Sequence, residues 1–441
     1  MYQDRRKVIV IGGGLVGSLC ACFMGQKGYH VVLYEKRSDL RKDTYMRGRS
    51  INLAISHRGR VALRSVGLEE TVLGSAIPMQ GRLLHGKTGA LQSMPYDPVF
   101  NNCIYSIGRN SLNEVLLNAA ENYDNVKVKF DHKLVNADIR RGVIRVQNKT
   151  TTEVFEETAD LIIGADGAYS VLRSAMLMTP MFQFNQTHIE HGYLELYIPA
   201  SLGDKMTPNH LHIWPRGQFM MIALPNKDTS WTVTLFMPLD NFTSLRDEDS
   251  IMYFFENIFP DAVPLIGKNS LVHTFLSTKP SQLISIKCSP HHFGSKFLII
   301  GDAAHAMVPF YGQGMNSGFE DVSVLSELLD KNHLEVKEII KLYSEMRVQN
   351  VQAVCDLAMY NYVEMRDLVM RKSFRARKAV DEVLYKLCPK IWFPLYNSVS
   401  FSSLEYRRCL ENKKLQDKIY SLLVGVLLLS FLFVFINILR Y

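Results

Sequence analysis

Hydrophobic and polar positions alternate along the chain with periods that change from one segment to the next. Two continuous apolar runs, at 8–11 and 31–34, flank a segment in which Leu19, Cys22 and Phe23 recur at helical spacing. Continuous apolar runs are typical of parallel strands that are covered on both faces. The N-terminal segment therefore predicts a strand, a helix and a second strand, which begin an α/β domain.

Later segments predict a second sheet and then helices. Further apolar runs at 161–163 and 297–300 predict strands. From about 180 to 272 the chain also reads as strands, with alternation in 188–198 and 231–236, and these strands together with 77–106 predict a β-sheet. From 323 to 386 the spacing is helical and amphipathic.

The last apolar segment predicts a membrane anchor. Residues 419–439 carry no charge, and at about 1.5 Å per residue their helix would cover roughly 30 Å, the thickness of a bilayer core. Lys413, Lys414 and Lys418 precede the segment, which predicts that the body of the protein stays in the cytosol. A buried core helix is the alternative interpretation.

Composition narrows the class of protein. The 441 residues are 47% hydrophobic and 21% charged, as in a folded protein, and the net charge of +7 is modest. Part of that charge precedes the apolar tail, so we expect no nucleic-acid partner. The seven cysteines are scattered without a C-x-x-C pair, which indicates reduced thiols.

A glycine motif directly follows the first predicted strand. Gly12, Gly14 and Gly17 form G-x-G-x-x-G, and Glu35 ends the second strand. Glycines permit a tight turn and a close approach to a pyrophosphate, while the N-terminus of the following helix offers free N–H groups. Glu35 can accept hydrogen bonds from ribose hydroxyls and would repel a 2′-phosphate. This pattern predicts a tightly bound FAD or NAD rather than NADP.

Two later motifs favour FAD. Residues 161–170 and 297–316 each place an aspartate, Asp166 and Asp302, after an apolar strand, and the second motif continues into a Gly312/Gly314 loop that opens a helix from about 315 to 330. Asp302 is positioned for ribityl hydroxyls, and the helix N-terminus for the flavin pyrimidine ring. Asp166 could instead cap a helix, and His305 is expected to be a packing histidine rather than a catalytic base.

The ordered set of these three motifs resembles the flavin-dependent aromatic hydroxylases of the p-hydroxybenzoate hydroxylase type. The likeness covers nearly the whole chain and is closest to the members that hydroxylate L-kynurenine. It is carried by residues 47–54, 56–59, 211–215, 219–225, 309–316 and 359–362. One departure is Tyr311, where the family often has phenylalanine.

The resemblance implies roles for individual residues. Arg82 and Tyr96 would bind the substrate carboxylate, with Asn361 and Tyr396 nearby, since arginine offers a planar fork to a carboxylate. No dedicated acid, base or metal ion is expected. The residues expected at FAD, which is non-covalently bound, are Gly12, Gly14, Val16, Gly17, Tyr34, Glu35, Arg37, Ala54, Arg109, Leu134, Asp302, Met315 and Asn316.

The implied reaction is hydroxylation of L-kynurenine at ring position 3 in tryptophan degradation, towards quinolinate and NAD. NADPH would reduce the flavin and O2 would then form a C4a-hydroperoxide, in a site dried by residues 219–224 and Phe236. Only one nucleotide fingerprint is present, so the family implies that NADPH binds transiently at the surface. Two alternatives stay open: hydroxylation of another aromatic acid, and a non-catalytic FAD-binding membrane protein.

The predicted fold class is α/β: a Rossmann-type FAD domain with an inserted β-sheet substrate domain, a helical C-terminal region and a transmembrane helix. Its boundaries are 1–180 for the FAD domain (with 76–106 contributing to the substrate sheet), 181–275 for the substrate domain, 276–330 for the second part of the FAD domain, 331–415 for the helical region and 419–439 for the tail anchor. The family implies the mitochondrial outer membrane, with the catalytic domain facing the cytosol; the endoplasmic reticulum is the alternative.

Overall fold

A six-stranded sheet forms the centre of the chain's N-terminal half. The computed structural model describes residues 6–42, 52–331 and 334–439, so residues 47–51 of the motif at 47–54 lie outside the described residues. The strand order is β18-β19-β12-β1-β2-β8, in which all neighbours are parallel except β18 and β19. The strands are β1 (Lys7–Ile11), β2 (His30–Tyr34), β8 (Val126–Lys129), β12 (Leu161–Gly164), β18 (His292–Phe293) and β19 (Phe297–Ile299).

The predicted βαβ unit is confirmed. Helix α1 (Leu15–Gln26) connects β1 to β2, and nearly all its residues are buried because other helices cover its outer face. The later apolar runs form β12 and β19 beside β1, and each of these strands is buried along its whole length. The predicted helix after the second aspartate motif is α12 (Gly314–Leu329).

A seven-stranded sheet faces the carboxyl ends of the central strands across a cavity. Its order is β17-β13-β16-β15-β14-β5-β6, antiparallel throughout except for the pair β14–β5. The alternating segments at 188–198 and 231–236 lie within β13 and β16, as predicted. The strands are β5 (Gly81–His85), β6 (Leu91–Pro95), β13 (Gln183–Ile198), β14 (His210–Pro215), β15 (Met220–Pro225), β16 (Trp231–Pro238) and β17 (Ser281–Ser289).

Two smaller antiparallel sheets complete the β-structure that is described. The order β3-β7-β4 joins β3 (Asn52–Ile55), β7 (Ile104–Gly108) and β4 (Ile77–Met79), and the order β11-β10-β9 joins β11 (Val154–Glu157), β10 (Val143–Asn148) and β9 (His132–Asp138). Residues 77–106 therefore contribute strands to two sheets, because β5 and β6 belong to the seven-stranded sheet and β4 and β7 do not.

The interpretation of residues 180–272 as strands is wrong beyond Pro238. The chain there forms α7 (Leu239–Ser244), α8 (Glu248–Ile258), α9 (Val263–Ile266) and α10 (Lys268–Ser277). Asp247 and Ser250 form a reciprocal capping box that starts α8. Ile251, Met252 and Phe255 then recur at helical spacing and are buried, and Ile251 and Phe255 share a core cluster with the sheet.

The C-terminal region is helical, as predicted from 323 onward. The long helix α13 (Val336–Arg366) runs past both the central region and the seven-stranded sheet, and α14 (Lys372–Leu387), α15 (Leu395–Ser400) and α16 (Tyr406–Leu439) follow it. The remaining helices are α2 (His57–Ser65), α3 (Glu69–Leu73), α4 (Arg109–Glu121), α5 (Val171–Met176), α6 (Ala200–Gly203) and α11 (Asp302–His305).

The predicted transmembrane helix at 419–439 is wrong. Among the residues that the structure describes, no helix combines the length and the apolar character needed to cross a bilayer. The apolar segment is not a separate element, since it continues α16, whose first half is charged and packs against α13 and α15. Tyr406 and Cys409 anchor that half in the core. The cellular location stays a prediction.

A chain of buried hydrogen bonds supports β5 from the face opposite Arg82. His85 Nδ1 lies 2.7 Å from Asp261 Oδ2, and His85 Nε2 lies 2.8 Å from His212 Nδ1. His212 Nε2 then lies 2.8 Å from the carbonyl oxygen of Thr207. Oxygen atoms therefore lie at both ends of the chain, and each imidazole ring is held at both of its nitrogens.

Protonation of His212 is unfavourable in the folded protein, which makes stability depend on pH. Burial lowers the pKa of His212 to about 3, although its bond to Thr207 works in the opposite direction. Between pH 6.5 and that value the unfolded chain binds a proton that the folded chain refuses. His212 should therefore lower the unfolding free energy by about 1.4 kcal/mol for each unit by which the pH falls in this range.

We expect His212→Asn to make this fall shallower by about 2 kcal/mol between pH 6.5 and 5, because asparagine cannot take up the proton. Urea denaturation at a series of pH values measures the slope, whatever the variant does to stability at pH 7. His273→Asn, at an exposed position on α10, is the matched control and should leave the slope unchanged. An unchanged slope in His212→Asn would contradict the assignment.

Candidate functional site

A cavity of about 400 Å³ lies between the carboxyl ends of the central strands and the seven-stranded sheet. The loops after β1, β12 and β19 line one end, while β5, α13 and α15 line the other. The structure thus brings the two groups of predicted residues to one space. The predicted residues that line it are Gly14, Val16, Ala54, Arg82, Tyr96, Arg109, Asp302, Met315, Asn361 and Tyr396.

The glycine loop has the shape that a phosphate group requires. Gly12 has φ +104°, and a Cβ there would lie 2.4 Å from the carbonyl oxygen of Ala165. At Gly17 a Cβ would lie 1.9 Å from the carbonyl oxygen of Gly12. At Gly14, by contrast, a Cβ would meet no atom within 4 Å. The first and last glycines therefore permit close packing, while the middle one leaves the cavity open beside the backbone.

Two helix N-termini and one carboxylate face this end of the cavity. Neither α1 nor α12 has a side chain that caps its first N–H groups, so these donors and the positive ends of both dipoles are available. Asp302 is an exposed residue that lines the cavity at the end of β19. Free donors suit phosphate and flavin oxygens, and a carboxylate suits hydroxyl groups; this set fits FAD.

Glu35 is buried and its carboxylate has protein partners on both oxygens. Oε2 accepts a hydrogen bond from Gly13 N at 2.7 Å, and Oε1 accepts from the backbone and side-chain nitrogens of Arg37 at 2.9 Å. Tyr34 donates to Glu157, and Leu134 lies in the hydrophobic core beside it. The described residues that line the cavity do not include Tyr34, Glu35, Arg37 or Leu134. The roles of these four residues at FAD stay predictions.

Asn316 holds the loops around the cavity together. Its Oδ1 accepts from Ser56 N at 2.9 Å, and its Nδ2 donates to the carbonyl oxygens of Ala54 at 2.8 Å and Gly312 at 2.7 Å. Gly59 packs so closely that a Cβ there would lie 2.5 Å from this Oδ1. The side chain of Asn316 is thus committed to protein contacts, and only its backbone is free for a ligand.

The two remaining polar residues of the motifs have structural partners. Asp166 Oδ2 accepts from Val171 N at 2.7 Å and so caps α5, which is the alternative interpretation of that residue. His305 is buried, with Nε2 2.5 Å from Asp321 Oδ2. Asp321 also accepts from Gly301 N at 2.8 Å and from Arg347 Nε at 2.8 Å. His305 is therefore a packing histidine, as predicted.

Arg82 and Asn361 meet at the other end of the cavity. Arg82 Nη2 donates to Asn361 Oδ1 at 3.2 Å, and Nη1 donates to Glu364 Oε1 at 2.7 Å. Burial opposes the charge of Arg82, but Glu364 and two tyrosines outweigh it and raise the pKa. Arg82 Nε is buried without a hydrogen-bond partner in the described structure. Buried donors normally have an acceptor, so this nitrogen is available to a ligand that supplies one.

Three tyrosines stack beside the guanidinium group. The rings of Tyr96 and Tyr396 are parallel with centroids 4.9 Å apart, and Tyr311 stacks on the other side of Tyr396 at 5.6 Å. The Arg82 guanidinium carbon lies 4.8 Å from the Tyr396 ring centroid. Burial and Tyr396 keep the pKa of Tyr96 well above its usual value, so its hydroxyl remains a donor. That hydroxyl also has no partner among the described residues.

The wall between the two ends is largely apolar. Leu211, Ile222, Leu224 and Phe236 line it from the seven-stranded sheet, and Phe310 packs edge-to-face on Phe236 with centroids 5.0 Å apart. Three of the seven residues expected to dry the site, Ile222, Leu224 and Phe236, therefore line the cavity. Phe219, in the predicted segment 219–224, instead packs on the far face against Phe254 and Phe259.

Two residues were missed by sequence reasoning. Glu364 follows Asn361 by three positions on a helical segment, a spacing that places both on one face, so the ion pair with Arg82 had a signal. Asp321 joins the loop at Gly301 to α13 through Arg347, and it had none, because its partners are far away in sequence.

Comparisons with known proteins agree with this geometry. A family model described as "FAD binding domain" matches residues 5–358. Curated proteins named kynurenine 3-monooxygenase are similar over most of the chain. That of Anopheles gambiae is 54% identical over 95% of this chain and 87% of its own, that of Sus scrofa 44% over 94% and 88%, and that of Myxococcus xanthus 41% over 96% and 91%.

Solved structures share the fold. A tetrameric 2-methyl-3-hydroxypyridine-5-carboxylic acid oxygenase has a TM-score of 0.68 at 20% identity, covering 88% of this chain and 99% of its own. The p-nitrophenol 4-monooxygenase of Pseudomonas putida has a TM-score of 0.65 at 18% identity, covering 88% and 94%. At these identities the likeness supports the α/β fold of FAD-dependent monooxygenases.

Proposed function

Because the chain belongs to the kynurenine 3-monooxygenase family of FAD-dependent hydroxylases, we propose that it hydroxylates L-kynurenine at ring position 3, with NADPH and O2 as co-substrates. The product would be 3-hydroxy-L-kynurenine. One observation carries the proposal to this chain: a single cavity joins a glycine loop and Asp302 at one end to Arg82 at the other. Cofactor and substrate can therefore meet in the space between them.

Arg82 supplies the means to hold an amino acid. Its unpartnered Nε and the unpartnered hydroxyl of Tyr96 are both buried donors, and a carboxylate supplies acceptors for both. Asn361 accepts a hydrogen bond from the guanidinium and is itself fixed, since its Nδ2 donates to the carbonyl oxygen of Phe310 at 2.8 Å. The carboxylate would thus be held at one end and the aromatic ring would extend toward the glycine loop.

The protein's part in the reaction is orientation and the exclusion of water. FAD, when bound, accepts a hydride from NADPH and activates O2 for transfer of one oxygen atom to the ring. The aniline nitrogen of kynurenine activates its own ring, so the site needs no side chain for proton abstraction. Leu224, Phe236 and Phe310 supply apolar surface beside the reacting atoms, which suppresses unproductive loss of hydrogen peroxide.

The test is NADPH consumption by the purified, FAD-loaded chain with and without L-kynurenine. Kynurenine should accelerate NADPH oxidation, and mass spectrometry should find a product heavier by one oxygen atom. Oxidation that responds instead to another aromatic acid would replace the substrate but keep the reaction. A protein that binds FAD and oxidises no NADPH with any aromatic acid would refute the proposed activity.

Asp302→Ala is expected to weaken FAD binding by about tenfold to a hundredfold, because a hydrogen bond to a charged group contributes about 1.5–3 kcal/mol. The flavin-to-protein ratio after dialysis and the Kd of the apoprotein for FAD measure the effect. Asp356→Ala is the matched control, since Asp356 is exposed and pairs with Lys287 at the surface. Full FAD occupancy in Asp302→Ala would show that the ribityl chain does not use this carboxylate.

A further inference from the structure

Arg82 already has an acidic partner before any substrate is considered. Glu364 Oε1 lies 2.7 Å from Arg82 Nη1, and the side chains are 14% and 5% exposed. Glu364 lines a smaller cavity, which shares Arg82, Tyr96 and Tyr396 with the larger one. Its Oε2 has no hydrogen-bond partner within the described residues. Where the two cavities meet at Arg82, one positive and one negative group therefore lie side by side, each with an unused hydrogen-bonding position.

The charge of this pair limits the ligands that fit. A ligand with a carboxylate alone would place two carboxylates on one guanidinium group and leave a net negative charge in a buried space, which is unfavourable. A ligand with a carboxylate and an ammonium group is neutral overall, and each of its charges meets the opposite charge. The pair thus matches a zwitterion rather than a simple aromatic acid.

The covalent structure of an α-amino acid matches the position of the two residues. Its carboxylate and its ammonium group are attached to the same carbon atom, so a carboxylate held by Arg82 brings the ammonium group close to the adjacent Glu364. An ammonium group has three donors, and the free Oε2 of Glu364 is an acceptor. Asn361 and Glu364 lie one turn apart on α13, so a rigid helix holds both.

We propose that Glu364 binds the α-ammonium group of the substrate, so that the Arg82–Glu364 pair selects zwitterionic α-amino acids. This assignment rests on the proposed function and names the group that separates kynurenine from other aromatic acids. The competing role is purely structural: Glu364 would only orient Arg82. The two roles differ in their consequences, because a residue that only orients Arg82 affects every carboxylate ligand alike.

The experiment compares two substrates of the FAD-loaded full chain: L-kynurenine, and 4-(2-aminophenyl)-4-oxobutanoate, which lacks the α-amino group. We expect Glu364→Gln to lower kcat/KM for kynurenine by about tenfold to a hundredfold, mainly through KM, since it removes a charge-assisted hydrogen bond. The same variant should handle the analogue as well as or better than wild type. Glu364→Asp keeps the charge and should recover part of the preference for kynurenine.

Binding without turnover gives an independent measure. The Kd of each ligand, from equilibrium dialysis without NADPH, should show the same loss of preference in Glu364→Gln. Glu345→Gln is the matched control, because Glu345 is exposed on the same helix, pairs with Lys341 and lines neither cavity. Equal losses on both ligands would overturn the assignment and leave Glu364 as a residue that positions Arg82. A wild-type protein without activity on kynurenine would overturn the proposed function and this assignment with it.

Discussion

Arg82→Ala is expected to lower kcat/KM for kynurenine by tens to thousands of fold while FAD content stays normal. The guanidinium group is buried and would hold the substrate carboxylate through Nε, the donor that has no protein partner among the described residues. Losing one partner of a desolvated charge pair costs about 2–5 kcal/mol, and each 1.4 kcal/mol is about tenfold. Steady-state kinetics and the flavin absorbance of the purified variant measure the two quantities.

Two controls separate the carboxylate contact from a general effect. Arg82→Lys should recover little activity, because an ammonium group cannot reproduce the planar fork. On a kynurenine analogue that lacks the α-carboxylate, wild type should be poor and Arg82→Ala should lose little more. If Arg82→Ala loses as much activity on this analogue as on kynurenine, Arg82 acts through folding or through the cofactor, and the carboxylate contact is wrong.

The part of the site that is local in sequence could be predicted from sequence. Gly12, Gly14 and Gly17 lie between a strand and a helix within one short segment, and their spacing has few other uses. The strands at 161–163 and 297–300 are also local features. They could be predicted because a continuous apolar run indicates burial on both faces. That these strands flank β1 is a property of the folded chain alone.

Contacts between distant segments could not be predicted from periodicity. Arg82 lies 282 positions from Glu364, and His85 lies 127 positions from His212, so their pairing depends on how α13 and β14 pack against β5. Burial decides the role of such residues. Tyr34, for example, ends β2 and its side chain packs in the core, while its role at FAD stays a prediction.

Two wrong predictions have a common cause. The sequence predicts strands up to residue 272, which fails from 239 onward, and a transmembrane helix at 419–439, in both cases from the hydrophobic pattern of the segment alone. In the first case the capping box at Asp247 starts a helix, and a local hydrogen-bond pattern outweighs β-propensity. In the second, the window is the continuation of a charged helix packed on the body. Apolar content indicates burial or exposure to an apolar phase, and the neighbouring residues decide the element.

Gly14→Ala and Gly17→Ala should both lose FAD, and for different reasons. Gly14 has φ −75° and ψ −174°, which alanine adopts freely, and a Cβ there meets no protein atom within 4 Å. The methyl group would instead enter the space in which a pyrophosphate approaches the loop. The apoprotein of Gly14→Ala should therefore be as stable as wild-type apoprotein, with FAD affinity lowered by at least about tenfold.

In Gly17→Ala the methyl group would lie 1.9 Å from the carbonyl oxygen of Gly12, so the backbone of the loop must move. Such overpacking costs about 1–3 kcal/mol or more, and it displaces the N–H groups that would face the phosphates. The apoprotein of this variant should be less stable than wild type in urea, and added FAD should not restore its stability.

Titration of each apoprotein with FAD, followed by flavin fluorescence, gives the affinities. If Gly14→Ala binds FAD as tightly as wild type, the pyrophosphate does not cross the open side of this loop. If Gly17→Ala is as stable as wild type, the loop is less tightly packed than the distance to Gly12 requires.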